Sequence, residues 1–236
     1  MTTETRKLAA ILAADVVGFS RLAGADEEGT LARLRALRGD LIDPTVAAHK
    51  GRVVKRTGDG AIVEFRSVVD AVRCAIDVQN ARVERNSGVP QESRIEFRIG
   101  VHLGDVVEED DGDLMGDGVN IAARLEGVAR PGGICLSDDA YRQVKARLDL
   151  DVSDLGPTAL KNIAEPMRVY AVAAGKPGAR PKPRAAPRAG LSNRVLQAAL
   201  RPANSRPWTA ALHSRSPRVP GPHVRRTAFW SRGKKP

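Results

Sequence analysis

From Val172 to Pro236 the sequence carries 15 lysines and arginines and not one aspartate or glutamate. The first 171 residues hold the other 23 basic side chains against 28 acidic ones, a net charge of −5. The overall charge of +10 is therefore an average over two unlike pieces. Only the mildly acidic first piece has the apolar patterning that a core requires. From Ala173 onward proline and glycine are dense, and periodicity is confined to a short stretch around Leu191 to Leu200. This composition predicts a disordered basic segment over 173–236, preceded by one domain of ordinary size over 1–172.

Two cysteines, Cys74 and Cys135, sit singly inside apolar runs, which argues for buried free thiols and against a disulfide framework or a zinc site. No apolar stretch approaches the roughly 20 residues that would cross a bilayer. The start, Met1 to Lys7, shows no small-residue cleavage pattern, so a cytoplasmic location without an integral membrane segment is expected.

Leu8 to Val17 reads as a buried strand ending at Asp15 and Gly18. Asp26-Glu27-Glu28 opens a helix whose apolar face is Leu31, Leu34, Leu37, Leu41 and Ile42, bent near its end by Pro44. Val53-Val54 and Ala61 to Phe65 flank Thr57-Gly58-Asp59-Gly60, a hairpin signature. Ser67 with Asp70 three residues later resembles a capping box for a second helix, which Gly88-Val89-Pro90 stops. Ile95, Phe97, Ile99, Val101 and Leu103 alternate with Arg94, Glu96, Arg98, Gly100 and His102, as in a half-buried strand. An acidic loop, Glu108 to Asp113, precedes a helix over Gly116 to Val128 with Ile121, Leu125 and Val128 on one face. The order β-α-β-β-α-β with shorter elements after it predicts an α+β sandwich of the ferredoxin-like type.

Taken singly, Asp15 would cap a turn and Asp59 would be an ordinary Asp-Gly hairpin residue. Brought together by neighbouring strands, the two carboxylates would suit hard cations such as Mg²⁺ and in-line displacement at phosphorus. The backbone N–H groups that follow Asp15 could cradle phosphate oxygens, because Gly18 permits close approach. Asn120 and Arg124, four apart on a helix, share a face; so do Lys55 and Thr57 on a strand. Alone, each pair would pass for a solvated surface.

Four blocks now stand in order: Ala14 to Ser20, Lys55 to Gly60, Arg98 to Gly104 and Gly116 to Arg124. In order and spacing they resemble the signature blocks of class III adenylate/guanylate cyclases, over approximately Leu8 to Val172. The resemblance implies the cyclase variant of the ferredoxin-like sandwich, with a mainly antiparallel sheet. It implies that Asp15 and Asp59, with the backbone of Val16, bind two divalent cations, Mg²⁺ or Mn²⁺. Gly18, Phe19 and Ser20 would lie on the triphosphate, and Lys161 would grip its outer phosphates. Lys55 and Asp113 match the base-reading pair, though Glu108, Glu109, Asp110 and Asp111 crowd Asp113 and one of them could take its place. Asn120 would orient the ribose and Arg124 would stabilise the transition state.

What this implies is an adenylate cyclase turning ATP into 3′,5′-cyclic AMP and pyrophosphate by attack of the ribose 3′-oxygen on the α-phosphorus. Lysine with a carboxylate suits adenine, whereas the family reads guanine with Glu and Cys. Sites in the family form between two catalytic domains, so a homodimer with composite sites is expected. The alternatives are a guanylate cyclase or a catalytically silent module binding nucleotide or a partner. The basic segment, with Trp208, Phe229 and Trp230, could make weak polyanion contact or be a functionless extension.

Overall fold

The computed structural model describes residues 5–174, all within the first of the two units, Met1–Pro187 and Arg188–Pro236, into which the chain divides. The basic segment, its stretch around Leu191 to Leu200 and any polyanion contact lie outside the described residues. The apolar run at the start becomes strand β1 (Thr5–Val16), whose Ala9 to Ala13 are no more than 4% exposed. Chain reversal leads through α1 (Phe19–Ala25) to α2 (Glu27–Leu37), capped by the Asp26 carboxylate, which accepts from the Gly29 N–H.

One bent helix was expected through Pro44; instead a π-helical turn, Arg38–Ile42, separates α2 from α3 (Asp43–Ala48). Pro44 has no N–H to return to the preceding turn and its ring crowds that turn. The wider turn absorbs the conflict, with the Asp43 N–H bonding the Arg38 carbonyl five residues back.

The hairpin forms as β2 (Arg52–Thr57) and β3 (Gly60–Phe65), turning at Gly58 with φ 66°. Helix α4 (Val68–Arg85) starts at Ser67, whose side chain accepts from the Asp70 N–H. Then come β4 (Phe97–Glu108), the two-residue β5 (Leu114–Met115), α5 (Asp117–Val128), β6 (Ile134–Ser137), α6 (Asp138–Val144), β7 (Val152–Thr158) and β8 (Met167–Val172).

The described strands make one eight-stranded sheet in the order β2-β3-β1-β4-β6-β8-β7, with β5 on the end of β4. Only β4 and β6 run parallel, so the sheet is mainly antiparallel, as expected for this α+β fold. Ala10, Leu12, Val16 and Phe97 pack with α4 and α6 into the larger core. Ala9, Ile11, Ala13 and Val106 pack with Ala122 of α5 on the opposite face. The expected half-buried strand is consequently buried on both sides: Gly100 and His102 are covered as fully as Ile99 and Val101. A methyl group at Gly100 would collide with the backbone of Ala122, Leu125 and Glu126, so the absence of a side chain lets α5 lie directly on the strand. His102 fills the remaining depth, its Nδ1 2.8 Å from the Ser137 hydroxyl.

Candidate active site

Asp15 stands one residue from the end of β1, on the α5 side of the sheet, directly opposite Arg98 in the β1–β4 register. Asp59 stands in the hairpin turn next to β3, whose Ala61 pairs with Ala14. Pairing of β1 with β3 therefore brings the two aspartates close enough for their carboxylates to act on one another. Burial, and after it the neighbouring Asp15 carboxylate, push the Asp59 carboxyl above its usual value, against the pull of its own backbone N–H and, more weakly, of Arg38. A β-carbon at Gly60 would lie 2.8 Å from the Ala14 carbonyl and 3.3 Å from Asp15 Oδ1, so the turn needs glycine to seat both acids. Arg38, from the π-helical turn, donates to the Gly58 carbonyl and braces the hairpin tip.

Two repelling carboxylates forced together are a fitting donor set for a hard cation. Val16 is 2% exposed with its side chain in the core, so only its carbonyl could join them. Among the described residues no group of three or more acidic, histidine or cysteine side chains is placed to hold a metal ion, so substrate oxygens or water would complete the coordination of a cation here. Gly18, at φ 63° and ψ 36°, begins α1, and its carbonyl accepts from the Arg21 and Leu22 N–H groups. Phe19 and Ser20 thus occupy the first turn, where backbone N–H groups have no partner inside a helix.

A second group forms around Lys55 on β2. Its Nζ lies 2.6 Å from Asp113 Oδ2, while Asp113 Oδ1 accepts from the Leu114 N–H at 2.9 Å. Of the crowded acids in the loop, Asp113 is the one in contact with Lys55. The bond to Lys55 holds the Asp113 carboxyl below the usual carboxylate range, and the same bond holds Lys55 above the usual lysine value.

The third group lies on α5 and after β7. Asn120 is exposed and Arg124 partly buried, one turn apart. Arg124 Nε donates to the Lys161 carbonyl at 3.1 Å, which sets exposed Lys161 beside the guanidinium. Within one chain, then, Asp15 and Asp59 are neighbours, and hydrogen bonds join Lys55 to Asp113 and Arg124 to Lys161.

Two charged residues that spacing alone did not single out sit against the first group. Arg98 Nη2 donates to Asp15 Oδ2 at 3.3 Å, and Arg98 Nε lies 2.9 Å from Glu126 Oε1 on α5. The latter contact is out of line for a hydrogen bond, so it is a charge contact only. Burial raises the Glu126 carboxyl to about 7 despite Arg98, with Asp15 and Asp59 adding to the rise. The signal for Arg98 was its place on the same strand face as Gly100 and His102; for Glu126 it was an acid two residues beyond Arg124.

This fold is that of a nucleotide cyclase catalytic domain. The chain belongs to the family described as the adenylate and guanylate cyclase catalytic domain, matched over residues 1–174. It is 48% identical over 165 residues to a Rhizobium meliloti protein provisionally named adenylate cyclase 3, covering 70% of this chain and 28% of that one. Against the pH-sensitive adenylate cyclase MT1302 of Mycobacterium tuberculosis it is 31% identical over 172 residues, covering 69% of this chain and 40% of the other. The chain thus spans well under half the length of these relatives. Among solved structures, the adenylate/guanylate cyclase/hydrolase from Silicibacter pomeroyi superposes with TM-score 0.66 at 44% identity, covering 71% of this chain and 97% of that one. The adenylyl cyclase CyaB from P. aeruginosa shares the fold at TM-score 0.64 and 23% identity, over 73% and 97% of the two chains.

Proposed function

We propose that this chain is an adenylate cyclase, forming 3′,5′-cyclic AMP and pyrophosphate from ATP. The observation that carries the base choice is the Lys55–Asp113 pair at 2.6 Å. Adenine offers an acceptor at N1 beside a donor amine; an ammonium and a carboxylate at that separation complement both, and guanine presents the opposite pattern. The 48% identity to a protein provisionally named an adenylate cyclase supports the same choice.

Asn120 orients the ribose so that its 3′-oxygen faces the α-phosphorus, and Arg124 neutralises the charge that develops there as pyrophosphate departs. Lys161 and the N–H groups of Gly18, Phe19 and Ser20 hold the outer phosphates. Two divalent cations held by Asp15, Asp59 and the Val16 carbonyl, Mg²⁺ or Mn²⁺, would supply charge neutralisation for the phosphates and acidify the 3′-hydroxyl. This one chain carries the residues expected of both halves of a composite site, which supports a homodimer with two such sites. No helix among the described residues is long and apolar enough to cross a membrane, and the buried free thiols fit a reducing compartment, which supports a cytoplasmic location.

The deciding measurement is product formation by the purified chain with ATP or GTP and Mn²⁺, resolving cyclic AMP from cyclic GMP, beside Asp59→Ala. Cyclic AMP from the parent and a loss of at least about a hundredfold in the variant are expected. Cyclic GMP as main product would overturn the base assignment, and undiminished turnover by Asp59→Ala would overturn the metal assignment.

A further inference from the structure

The acidic loop between β4 and β5 is held at two points by β2. Lys55 meets it at Asp113; three residues earlier, Arg52 meets it at both of its ends. Arg52 Nη1 donates to the Gly112 carbonyl at 2.7 Å, one residue before Asp113. Arg52 Nη2 donates to Glu108 Oε1 at 2.9 Å, at the last residue of β4. The guanidinium is itself fixed from β3: Nε and Nη2 both donate to Glu64 Oε2, at 2.9 and 2.7 Å. Lys7 of β1 closes the arrangement, its Nζ 2.6 Å from Glu64 Oε1 and 2.7 Å from Glu108 Oε2. Glu64, at its centre, has a side chain only 13% exposed.

Such an arrangement is unusual in what it holds. An isolated exposed ion pair contributes little, but one guanidinium bonded to two carboxylates and a carbonyl fixes a geometry. The loop needs fixing: within six residues it carries Glu108, Glu109, Asp110, Asp111 and Asp113, whose mutual repulsion favours spreading. Gly112 turns at φ 83°, and a β-carbon there would lie 3.0 Å from Arg52 Nη1, so the guanidinium packs against the turn that presents Asp113.

We infer that Arg52 is a specificity-determining positioning residue: by tying Gly112 and Glu108 to the strand that carries Lys55, it fixes Asp113 against Lys55 and so sets the preference for adenine over guanine. The inference rests on the base-reading role given to Lys55 and Asp113 above. A carboxylate held at one place accepts from the adenine amine and repels the guanine carbonyl oxygen; a carboxylate free to swing does neither well. Arginine is required because a lysine, as a point charge, cannot bridge three acceptors in one plane.

The test is the ATP-to-GTP ratio of kcat/KM for the full chain with Mn²⁺, measured for Arg52→Ala, Arg52→Lys and Asp113→Ala. Competition of ATP and GTP against a fluorescent nucleotide gives the ratio of their affinities where turnover is slow. Arg52→Ala should lower the ratio about tenfold, through a higher KM for ATP and a lower one for GTP, with Arg52→Lys falling between. Equal losses with both nucleotides and an unchanged ratio would make Arg52 a structural residue and overturn the inference. If Arg52→Ala does not fold, Gly112→Ala, which keeps the arginine and displaces the turn, must lower the ratio in its place. Asp113→Ala separates the two levels: a ratio it leaves intact condemns the base-reading assignment, whereas a ratio it collapses while the Arg52 variants keep theirs condemns only the role given to Arg52.

Discussion

Glu126 is a carboxyl held far from its ordinary state. Its carboxyl, raised to about 7 mainly by burial, keeps its proton in the folded chain over a range where the unfolded chain has lost it. Between roughly pH 4.5 and 7 the folded state therefore binds more protons, and stability falls as pH rises, by at most about 1.4 kcal/mol per pH unit from this group. Glu126→Gln should remove that slope. Urea unfolding of parent and variant at pH 5, 6, 7 and 8 should show the difference in stability moving steadily in the variant's favour; a difference that is the same at pH 5 and pH 8 would refute it. His102 works in the other direction. Burial lowers its pKa, with Asp139 opposing, so the unfolded chain takes the proton first and stability is lost as pH falls below about 6.5. Replacing His102 by asparagine should flatten the acid side of the profile and leave the alkaline side unchanged, read by the same unfolding series.

At the scale of elements, α5 carries Asn120 and Arg124, and Gly100 sets its height above the sheet. Gly100→Ala should lift the helix, costing about 1–3 kcal/mol of stability and lowering kcat by a hundredfold or so through misplacement of both side chains. Gly127, near the end of the same helix, has nothing within 4 Å of where a β-carbon would go. Gly127→Ala should therefore stabilise the chain by about 0.5–1 kcal/mol and leave kcat unaltered. Thermal unfolding and turnover of the two variants decide it: a Gly100→Ala chain as stable and as active as the parent would mean that close contact with β4 does not set the height of α5. These elements were largely legible beforehand. The apolar run before Asp15, the Gly-Asp turn, the acidic helix start at Asp26 and the cap at Ser67 are local signals, and each formed where local physics places it, Asp26 serving as the cap itself. What local signals do not carry is register. Arg98 opposes Asp15 across 83 positions, and Arg52 meets Gly112 across 60, through pairings that exist only once β1 and β4 have found each other. Burial of β4 on its second face was missed for the same reason, since α5 reaches it through the crossover to β6.

For the whole molecule the expectations concern what the described fold does by itself. Cyclase activity should reside in residues 1–174, so a chain ending there should match the full chain in specific activity, while any binding of polyanions such as heparin or DNA should go with the removed part. Specific activity of either form should fall on dilution, as expected where each site draws on two copies. Dilution-independent activity would mean that one copy suffices.

The long ladder between β1 and β4 has a consequence for how the chain is made. Twelve register pairs, from Thr5 with Glu108 to Val16 with Phe97, join the first strand to one that begins some 80 residues later. At about 5–20 residues per second of synthesis, roughly 5–20 s separate the emergence of Val16 from that of Glu108. For that interval the apolar run of β1, Leu8 to Ala14, lacks the neighbour it needs, with only the β2–β3 hairpin arriving earlier to cover one edge. A newborn chain is thus most open to aggregation, and most in need of a chaperone, before the last residue of β4 has left the ribosome.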